Sequence, residues 1–408
     1  MLIEDEGFKV VINKNSHTFL MIFKNNQAKV LGNHSVIGAT QESERINKVK
    51  IELLKAWWPN MVRMRFAVIL PFGDVYDAKN LILMKQLGCT DVIGHGPPTP
   101  KGSEIWEYGD IIQIKRHVER YGLRLEVFED APPIEKIIYN LPGREEQLES
   151  FCKSLENLGK AGIKVIKPQH MPPIPNMIWR TEVDKPTRGG ATSTAFDYNL
   201  VKDIPPTVKF GAYKEEDIWK NLEYFLKNVV PTAEEAGVVI TFHPDDPPIS
   251  PIQGFPRILR SVEAFDKLLN LVPSENVGIC FCQGCFAEMG VDVPAAIRHF
   301  GKRKKIFFAH FRNVIGSVHE PGGFQEIFHD DPSGRVDMFE AMKAYYEVGF
   351  EGPMRPDHAP KTIADLLFEF LGGHTGYYMI GKVLALGYMK GLAESVEKIF
   401  FSKNSEKK

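Results

Sequence analysis

The chain has 408 residues, of which 43% are hydrophobic and 25% are charged, and its formal net charge is −2. This is the composition of a globular protein, without the excess of positive charge that binds nucleic acid and without an apolar stretch near the roughly 20 residues that span a membrane. The five cysteines are odd in number and the first residues contain no basic segment followed by an apolar one, which favours the cytoplasm over secretion.

Residues 1–60 are predicted to form a small antiparallel β-rich appendage. Alternating runs at Phe8–Ile12, Thr18–Phe23 and Ala28–Leu31 are separated by asparagine-rich turns. Such a sheet packs on the neighbouring domain or on a partner subunit, so a homodimer is one expectation. At the other end, residues 403–408 are polar and charged and are expected to form a flexible tail.

From residue 61 to residue 402, short apolar runs alternate with amphipathic segments, which is the pattern of repeated βα units. The helical segments place apolar residues three and four positions apart, as at Leu148, Phe151 and Leu155. Eight such units predict a (β/α)8 TIM barrel as the catalytic domain. The predicted strands are Arg65–Leu70, Asp91–Gly94, Arg124–Phe128, Lys164–Lys167, Val238–His243, Val277–Cys282, Lys305–His310 and Pro353–Asp357.

Residues 171–210 interrupt this rhythm after the fourth predicted strand. They are rich in Pro, Gly, Thr and Ser, which predicts a long loop over the carboxyl ends of the strands. Loops of this length are usually disordered or act as lids over a bound substrate.

Four of the predicted strands end on a residue that can bind a metal. The runs VVITFH, VGICFC, KIFFAH and GPMRPD end on His243, Cys282, His310 and Asp357. In a barrel of parallel strands, the carboxyl ends meet at one face, where the chemistry takes place. Two imidazoles, a thiolate and a carboxylate at that face predict a site for a divalent cation such as Mn²⁺, Zn²⁺ or Fe²⁺.

Three of these residues have another interpretation when each is taken alone. The aspartates that follow His243 in HPDDPP could orient it as a ligand or could simply cap a turn. Cys282 opens a CxxC spacing, which is compatible with a redox pair, half of a zinc knuckle or a buried inert thiol. His310 could be a hydrogen-bonded core histidine. The shared position at strand ends favours one metal site over separate coincidences.

Further polar residues at the same face are candidates for substrate contact and proton transfer. Arg312 in HFRN could hold a carboxylate through two hydrogen bonds, and Arg355 in RPDH adds a second cation. His358 is a candidate acid or base, because an imidazole exchanges its proton near neutral pH. His95 and His170 follow the second and fourth strands, where they could contact the substrate.

The motifs HPDDPP, FCQG, HFRN and RPDH, in this order, resemble those of the mannonate dehydratase family. LPGREEQLESFCKSLENLGKAGIKVI upstream and GYYMIGKVLALGYMKGL downstream extend the resemblance over roughly residues 64 to 400. The family's members are sugar-acid lyases with xylose-isomerase-like barrels. They need Mn²⁺ or a similar divalent ion and convert D-mannonate to 2-keto-3-deoxy-D-gluconate. The resemblance therefore implies a hydro-lyase of hexuronate degradation.

The resemblance also implies roles for individual residues. It assigns metal binding to the four strand-end residues and proton transfer to His358 and to Tyr377, the tyrosine of the GY motif. Which of the two acts as acid and which as base stays open. Mn²⁺ is the expected ion, and Fe²⁺, Zn²⁺ and Mg²⁺ are the alternatives.

The chain departs from the family pattern on the loops predicted to face the substrate. RFAVILPFGD stands where the family carries an RWYG-like sequence, PQHMPPIPNMIW replaces an NFMPVFDW-like segment, and KTIADLLFEFLGGHT lengthens the segment before the GY motif. A dehydratase of a related aldonic acid and a metal-dependent sugar isomerase or epimerase are therefore alternatives. From another class, a non-catalytic carbohydrate-binding protein with a structural metal is the alternative.

Overall fold

The computed structural model describes residues 2–5, 8–13, 18–23, 28–31, 64–70, 73–99, 103–171, 178–205, 213–365 and 379–405. The chain divides into two compact units, Met1–Met61 and Val62–Lys408. The second unit contains every strand-end residue that is predicted to bind a metal.

In the first unit, four strands form an antiparallel sheet. The strands are β1 (Leu2–Asp5), β2 (Phe8–Asn13), β3 (Thr18–Phe23) and β4 (Ala28–Leu31). They pair in sequence order, with Phe8 of β2 opposite Phe23 of β3. Chain neighbours that pair in this way are typical of the hairpins that the alternating runs predict.

The second unit confirms the predicted barrel. Its strands are β5 (Arg65–Ile69), β6 (Asp91–Gly94), β7 (Arg124–Phe128), β8 (Val165–Ile166), β9 (Glu182–Pro186), β10 (Thr192–Phe196), β11 (Val239–Phe242), β12 (Val277–Cys282), β13 (Ile306–Phe311), β14 (Val314–Gly316), β15 (Phe324–Glu326) and β16 (Pro353–Pro356). Eight of them form a closed parallel barrel in the order β11-β12-β13-β16-β5-β6-β7-β8. Ile166 of β8 pairs with Ile240 of β11 and closes the ring.

Burial on both faces explains why the barrel strands are continuous apolar runs. All six residues of β12 are buried, because one face of the strand lies against the barrel interior and the other against the surrounding helices. The interior contains a small cluster of its own, to which most of the barrel strands contribute side chains. Its buried members are Ala67, Ile93, Val127, Val165, Cys280 and Phe308.

Helices surround the barrel and cover its strands. They are α1 (Ala78–Gln86), α2 (Tyr108–Glu119), α3 (Glu135–Ile138), α4 (Arg144–Ala161), α5 (Glu215–Ala236), α6 (Val262–Leu271), α7 (Gln283–Glu288), α8 (Val293–Lys302), α9 (Met338–Glu347) and α10 (Met379–Ser405). Short 3-10 helices span Asp74–Tyr76, Arg188–Gly190 and Tyr198–Leu200. Within the described ranges, no helix combines the length and the apolar character that a membrane span requires.

The helix α5 illustrates how the sequence sets the helix ends and the buried face. Its first turn is acidic, and the Asp217 side chain accepts a hydrogen bond from the Lys214 backbone N–H. Ile218, Leu222 and Phe225 are buried at three- and four-residue spacing. The helix ends at Gly237, whose φ of 66° is a left-handed conformation that glycine adopts without strain.

Part of the stretch predicted as a long loop forms a second sheet at the carboxyl face of the barrel. Strands β9 and β10 pair as a hairpin, and the four-stranded order is β14-β15-β10-β9. Thr192 of β10 also bonds Lys361, just beyond β16, through both backbone groups. The pairing explains why the local sequence suggested a loop, since β10 is completed by Phe324 and Gln325 from a distant part of the chain.

Candidate metal centre

The four predicted ligands come from neighbouring strands of the barrel. His243 directly follows β11, Cys282 ends β12, His310 lies near the end of β13, and Asp357 directly follows β16. In the parallel register, Cys282 pairs with His310, and His310 with Arg355. Because these four strands are consecutive in the barrel, their ends adjoin at one side of its mouth.

The donor atoms of these residues converge. Those of Cys282, His310 and Asp357 lie within 4.8 Å of one another. His243 Nε2 lies 3.2 Å from His310 Nδ1 and within 4.8 Å of the Cys282 sulfur. The structure thus brings together all four residues that the sequence selected.

In His243 and His310, one ring nitrogen contacts a neighbouring group, and the other ring nitrogen faces the cluster. His243 Nδ1 lies 2.7 Å from the Pro244 carbonyl oxygen, so its Nε2 faces the cluster. His310 Nε2 lies 3.2 Å from Glu129 Oε1, so its Nδ1 faces inward. Contacts of this kind fix the tautomer and the ring orientation of metal-binding histidines.

Asp357 is oriented in the same manner. Its Oδ1 accepts a hydrogen bond of 2.6 Å from Arg355 Nη1, while its Oδ2 lies 3.4 Å from His310 Nδ1. Arg355 also donates to both carboxylate oxygens of Glu129. Arg355 and Glu129 therefore support the acidic and imidazole members of the cluster from behind.

The electrostatic environment suits ligands that must be unprotonated. Burial alone would raise the pKa of the Cys282 thiol, but hydrogen bonds from Cys285, His243 and His310 bring it well below its usual value. Burial lowers the pKa of His243, which favours the neutral imidazole. Burial opposes ionisation of Asp357, yet Arg355 and the nearby imidazoles lower its pKa well below normal.

The set of donors fits a divalent cation of intermediate softness. Burial and Arg355 oppose a charge on His310, but the anionic groups around it still raise its pKa well above normal. The anionic groups that favour a proton on His310 would likewise favour a metal cation in place of that proton. The thiolate and the imidazoles suit Fe²⁺ or Zn²⁺, and the carboxylate also suits Mn²⁺, whereas Mg²⁺ and Ca²⁺ prefer sites made of oxygen donors alone. That these residues bind a metal stays a prediction.

His358 lies beside the cluster in an unusual backbone conformation. Its φ of 43° is rare outside glycine and marks local strain, which is typical of functional sites. Its Nδ1 lies 2.6 Å from Glu326 Oε1, and its Nε2 lies 3.6 Å from Asp357 Oδ1. The Trp179 indole packs edge-on against the ring, with centroids 6.0 Å apart.

A buried ionic network supports Glu326. Its Oε1 accepts hydrogen bonds of 2.6 Å from Arg180 and from Arg312 in addition to the contact with His358. Burial would raise the pKa of Glu326, but His358, Arg312 and Arg180 lower it to about 2. Arg180 and Arg312 both also pair with Asp246.

The four predicted substrate contacts lie in different surroundings. Arg312 is buried against Glu288, Asp246 and Glu326, and Arg355 against Glu129 and Asp357. His170 is buried with its Nε2 3.5 Å from Asp245 Oδ1. His95 is partly exposed, and its Nδ1 lies 3.2 Å from Asp130 Oδ2. Contact of these four residues with a substrate stays a prediction, and Tyr377 lies outside the described residues.

Reasoning from the sequence missed several residues of this site. Arg180 lies in the stretch predicted as a loop, and Glu326 lies in a connection between barrel units, so neither follows a predicted strand. Lys382 comes from α10 and is buried. Burial and the nearby Arg355 lower its pKa to about 8. Only the tertiary structure brings these side chains to the mouth.

Comparisons with known proteins identify the family. The family model described as D-mannonate dehydratase (UxuA) matches residues 62–210 and 207–403. The mannonate dehydratase of Thermotoga maritima is 34% identical over 360 residues, covering 80% of this chain and 97% of that protein. The chain belongs to the D-mannonate dehydratase family.

Other relatives agree with this assignment. The mannonate dehydratase of Geobacillus thermodenitrificans is 32% identical over 359 residues, which cover 80% of this chain and 93% of that protein. The crystal structure of mannonate dehydratase from Streptococcus suis serotype 2 superposes with a TM-score of 0.72 at 32% identity, covering 83% of this chain and 96% of that one. The resemblance inferred from the four motifs is therefore confirmed.

A more distant structure shows the fold alone. The xylose isomerase domain protein from Planctomyces limnophilus superposes with a TM-score of 0.53 at 13% identity, and the match covers 82% of this chain and 99% of that one. This similarity confirms the xylose-isomerase-like barrel.

Proposed function

We propose that this protein is a divalent-metal-dependent dehydratase that converts D-mannonate to 2-keto-3-deoxy-D-gluconate and water. The observation that carries the proposal is the convergence of His243, Cys282, His310 and Asp357 beside His358, in a chain of the D-mannonate dehydratase family. These four ligands would hold the ion, and we propose Mn²⁺ because it is the ion that the resemblance to the mannonate dehydratase family implies.

The reaction removes the proton at C2 and the hydroxyl group at C3. The C2 proton is weakly acidic, because the carboxylate beside it already carries negative charge. A bound divalent ion would supply positive charge at the carboxylate and the 2-hydroxyl, which stabilises the charge that develops when the proton leaves.

His358 is suited to take the C2 proton. Glu326 holds its Nδ1, so the neutral ring would carry its proton on Nδ1 and present the lone pair of Nε2. When Nε2 accepts a proton, the carboxylate of Glu326 stabilises the imidazolium. General catalysis of this kind contributes roughly 10²–10⁴-fold to the rate.

We assign protonation of the departing 3-hydroxyl to Tyr377, on the basis of the family motif that contains it. We assign the exclusion of water to two elements, the segment that carries Trp179 and Arg180 and the β9–β10 hairpin that follows it. Two contacts support this role: Trp179 packs on His358, and Arg180 pairs with Asp246 and Glu326. A site without bulk water strengthens the electrostatic interactions on which the reaction depends.

Of the four predicted substrate contacts, His95 has the geometry that best supports this role. It is partly exposed at the mouth, and Asp130 holds its Nδ1 and raises its pKa, which favours a positive charge opposite a sugar acid. Arg312 and Arg355 are better placed to hold protein carboxylates, because their guanidinium groups already contact them.

We further propose a cytoplasmic homodimer. The five cysteines are odd in number, which supports a reducing compartment. Strands β1 and β4 lie at the two edges of their sheet, and sheet edges are sites at which a second chain can pair. Sedimentation of the intact chain and of a variant lacking residues 1–61 tests the dimer.

The function is tested by incubating the purified protein with Mn²⁺ and D-mannonate and following the product by NMR. The expected product is a 2-keto-3-deoxy acid. His358→Asn is expected to retain Mn²⁺ and to lose turnover by roughly 10²-fold or more. A keto sugar or an epimer formed without loss of water would instead identify an isomerase or epimerase. No conversion across C5 and C6 aldonic acids would contradict an enzymatic role.

A further inference from the structure

Cys285 is a buried thiol that the proposed reaction does not use, and it lies next to a proposed metal ligand. Cys282 is the N-cap residue of α7, and Cys285 is the third residue of that helix. The side chain of an N-cap residue reaches the third residue of its helix. Both cysteines are completely buried. The CxxC spacing therefore places two thiols side by side at a helix N-terminus.

The contacts of the two sulfurs show that they share one location. Together with a ring nitrogen of His243, the two sulfurs lie within 4.8 Å of one another. Arg312 Nη1 lies 3.7 Å from the sulfur of Cys282 and 3.6 Å from that of Cys285. Cys282 thus has two candidate partners, the proposed metal on one side and the Cys285 sulfur on the other.

The other cysteines also lie in described residues. Cys280 belongs to the interior cluster of the barrel, and its sulfur lies 3.4 Å from His310 Nε2 and within 4.8 Å of a ring nitrogen of His243. Cys89 precedes β6, and Cys152 lies on α4. Positions 282 and 285 are therefore the pair that the fold brings together.

We propose that Cys282 and Cys285 form a reversible disulfide under a peroxide, and that this bond withdraws Cys282 from the metal site. The release of metal rests on the proposed function, because it requires Cys282 to be a ligand; the formation of the disulfide does not. A disulfide requires a sulfur–sulfur distance of about 2 Å, and rotation of the two side chains supplies the approach. CxxC pairs at helix N-termini form such bonds in disulfide oxidoreductases.

The chemistry balances with one peroxide per disulfide. The Cys282 sulfur takes one oxygen as the O–O bond breaks, which gives a sulfenic acid and one water. The Cys285 sulfur then attacks the Cys282 sulfur, so that the S–S bond forms, the S–O bond breaks, and hydroxide leaves and gains the proton of the Cys285 thiol. Two thiols lose two electrons and two protons, and the peroxide becomes two waters. A dithiol reductant reverses the change.

Oxidation and metal binding compete at Cys282. Because a bound metal occupies the Cys282 sulfur, metal and oxidation compete for the same atom. Metal-loaded protein is therefore expected to oxidise more slowly than metal-free protein.

The test treats metal-free and Mn²⁺-loaded protein with hydrogen peroxide, alkylates the remaining thiols and maps the cysteines by mass spectrometry. In the wild type, we expect three of the five cysteines to remain open to alkylation and the peptide with positions 282 and 285 to lose two hydrogens. Bound manganese should fall in step with the disulfide and should rebind after treatment with dithiothreitol. The loaded protein should react more slowly.

Two variants make the test specific, each compared with its own untreated sample. Cys285→Ser should form no disulfide, so that under sustained peroxide its Cys282 is oxidised further to sulfinic and sulfonic acids and its loss of manganese is not reversed by dithiothreitol. Cys152→Ser, which removes a cysteine on α4, should behave as the wild type does. Five alkylated cysteines after peroxide, or a bond to Cys280, would overturn the proposal. A 282–285 bond without any loss of manganese would overturn the release step and the role of Cys282 as ligand.

Discussion

The two ends of the barrel hold buried charge in different ways. At the amino end of the strands, Asp91 accepts hydrogen bonds from Arg65 and Arg124, and Glu126 accepts from Arg65 and Lys164. Each of the four carboxylate oxygens contacts a basic nitrogen. The network is complete in itself, so it is suited to joining neighbouring strands.

At the carboxyl end, the ion pairs leave one donor atom of each ligand facing inward. Arg355 donates a hydrogen bond to Asp357 Oδ1, and Glu129 contacts His310 Nε2. The remaining atoms, Asp357 Oδ2 and His310 Nδ1, lie 3.4 Å apart. Both ends use aspartate, glutamate and arginine. An ion-pair network therefore prepares a binding site when it orients its members and leaves their inner atoms available.

Removal of an inner donor atom should have the largest effect. In Asp357→Asn, an amide replaces the carboxylate, which weakens the hold on a divalent cation, and kcat/KM with D-mannonate should fall by about 10²–10³-fold or more. Manganese content and steady-state kinetics measure the change. Asp91→Asn at the opposite end is the matched control and should keep both near the wild-type value. Full manganese and full turnover in Asp357→Asn would contradict the assignment of the centre.

Removal of a supporting carboxylate should have a smaller effect, and it should lower kcat rather than the manganese content. Glu326→Gln loses the charge that stabilises protonated His358, so kcat should fall by about 10²-fold while manganese is retained. Glu320→Gln is the matched control, because Glu320 forms an exposed pair with Arg335 in the connection between β14 and β15. Equal kcat values for the two variants would remove Glu326 from the reaction.

The amino-end network should contribute stability rather than activity. Asp91 is almost completely buried, whereas Arg65 and Arg124 are partly exposed, so solvent screens part of their interaction. Asp91→Asn is therefore expected to lower the free energy of unfolding by about 1–3 kcal/mol and to leave KM unchanged. Urea unfolding measures the difference. Asp266→Asn, at an exposed ion pair, should lower the free energy of unfolding less. A larger loss in Asp266→Asn than in Asp91→Asn would contradict a stabilising role for the amino-end network.

The sequence predicts the barrel and the inner ligands for the same physical reason. Strands buried on both faces are continuous apolar runs, and the residue at the end of such a run must lie at the carboxyl face. His243 and Cys282 could therefore be selected without coordinates. Glu326 and Arg180 could not be selected in this way. Glu326 reaches the site from β15, and Arg180 lies 146 positions before it along the chain. For the same reason, the HFRN motif predicts a substrate clamp at Arg312 but does not reveal its buried carboxylate partners.

Acid should destabilise the folded protein over a pH range set by His329, a buried histidine near the carboxyl end of the barrel. Burial lowers the pKa of this histidine from 6.5 to about 4, although its Nε2 donates to the Phe311 carbonyl. Below pH 6.5 the unfolded chain therefore binds a proton at this histidine that the folded chain does not bind. The contribution of His329 to the free energy of unfolding is complete above pH 6.5 and falls as the pH drops towards 4. At pH 5 the loss approaches about 2 kcal/mol, at about 1.4 kcal/mol per pH unit. His329→Gln keeps a donor that does not titrate and should flatten this slope in urea unfolding, whereas exposed His299→Gln should not. An unchanged slope in His329→Gln would show that the acid sensitivity arises elsewhere.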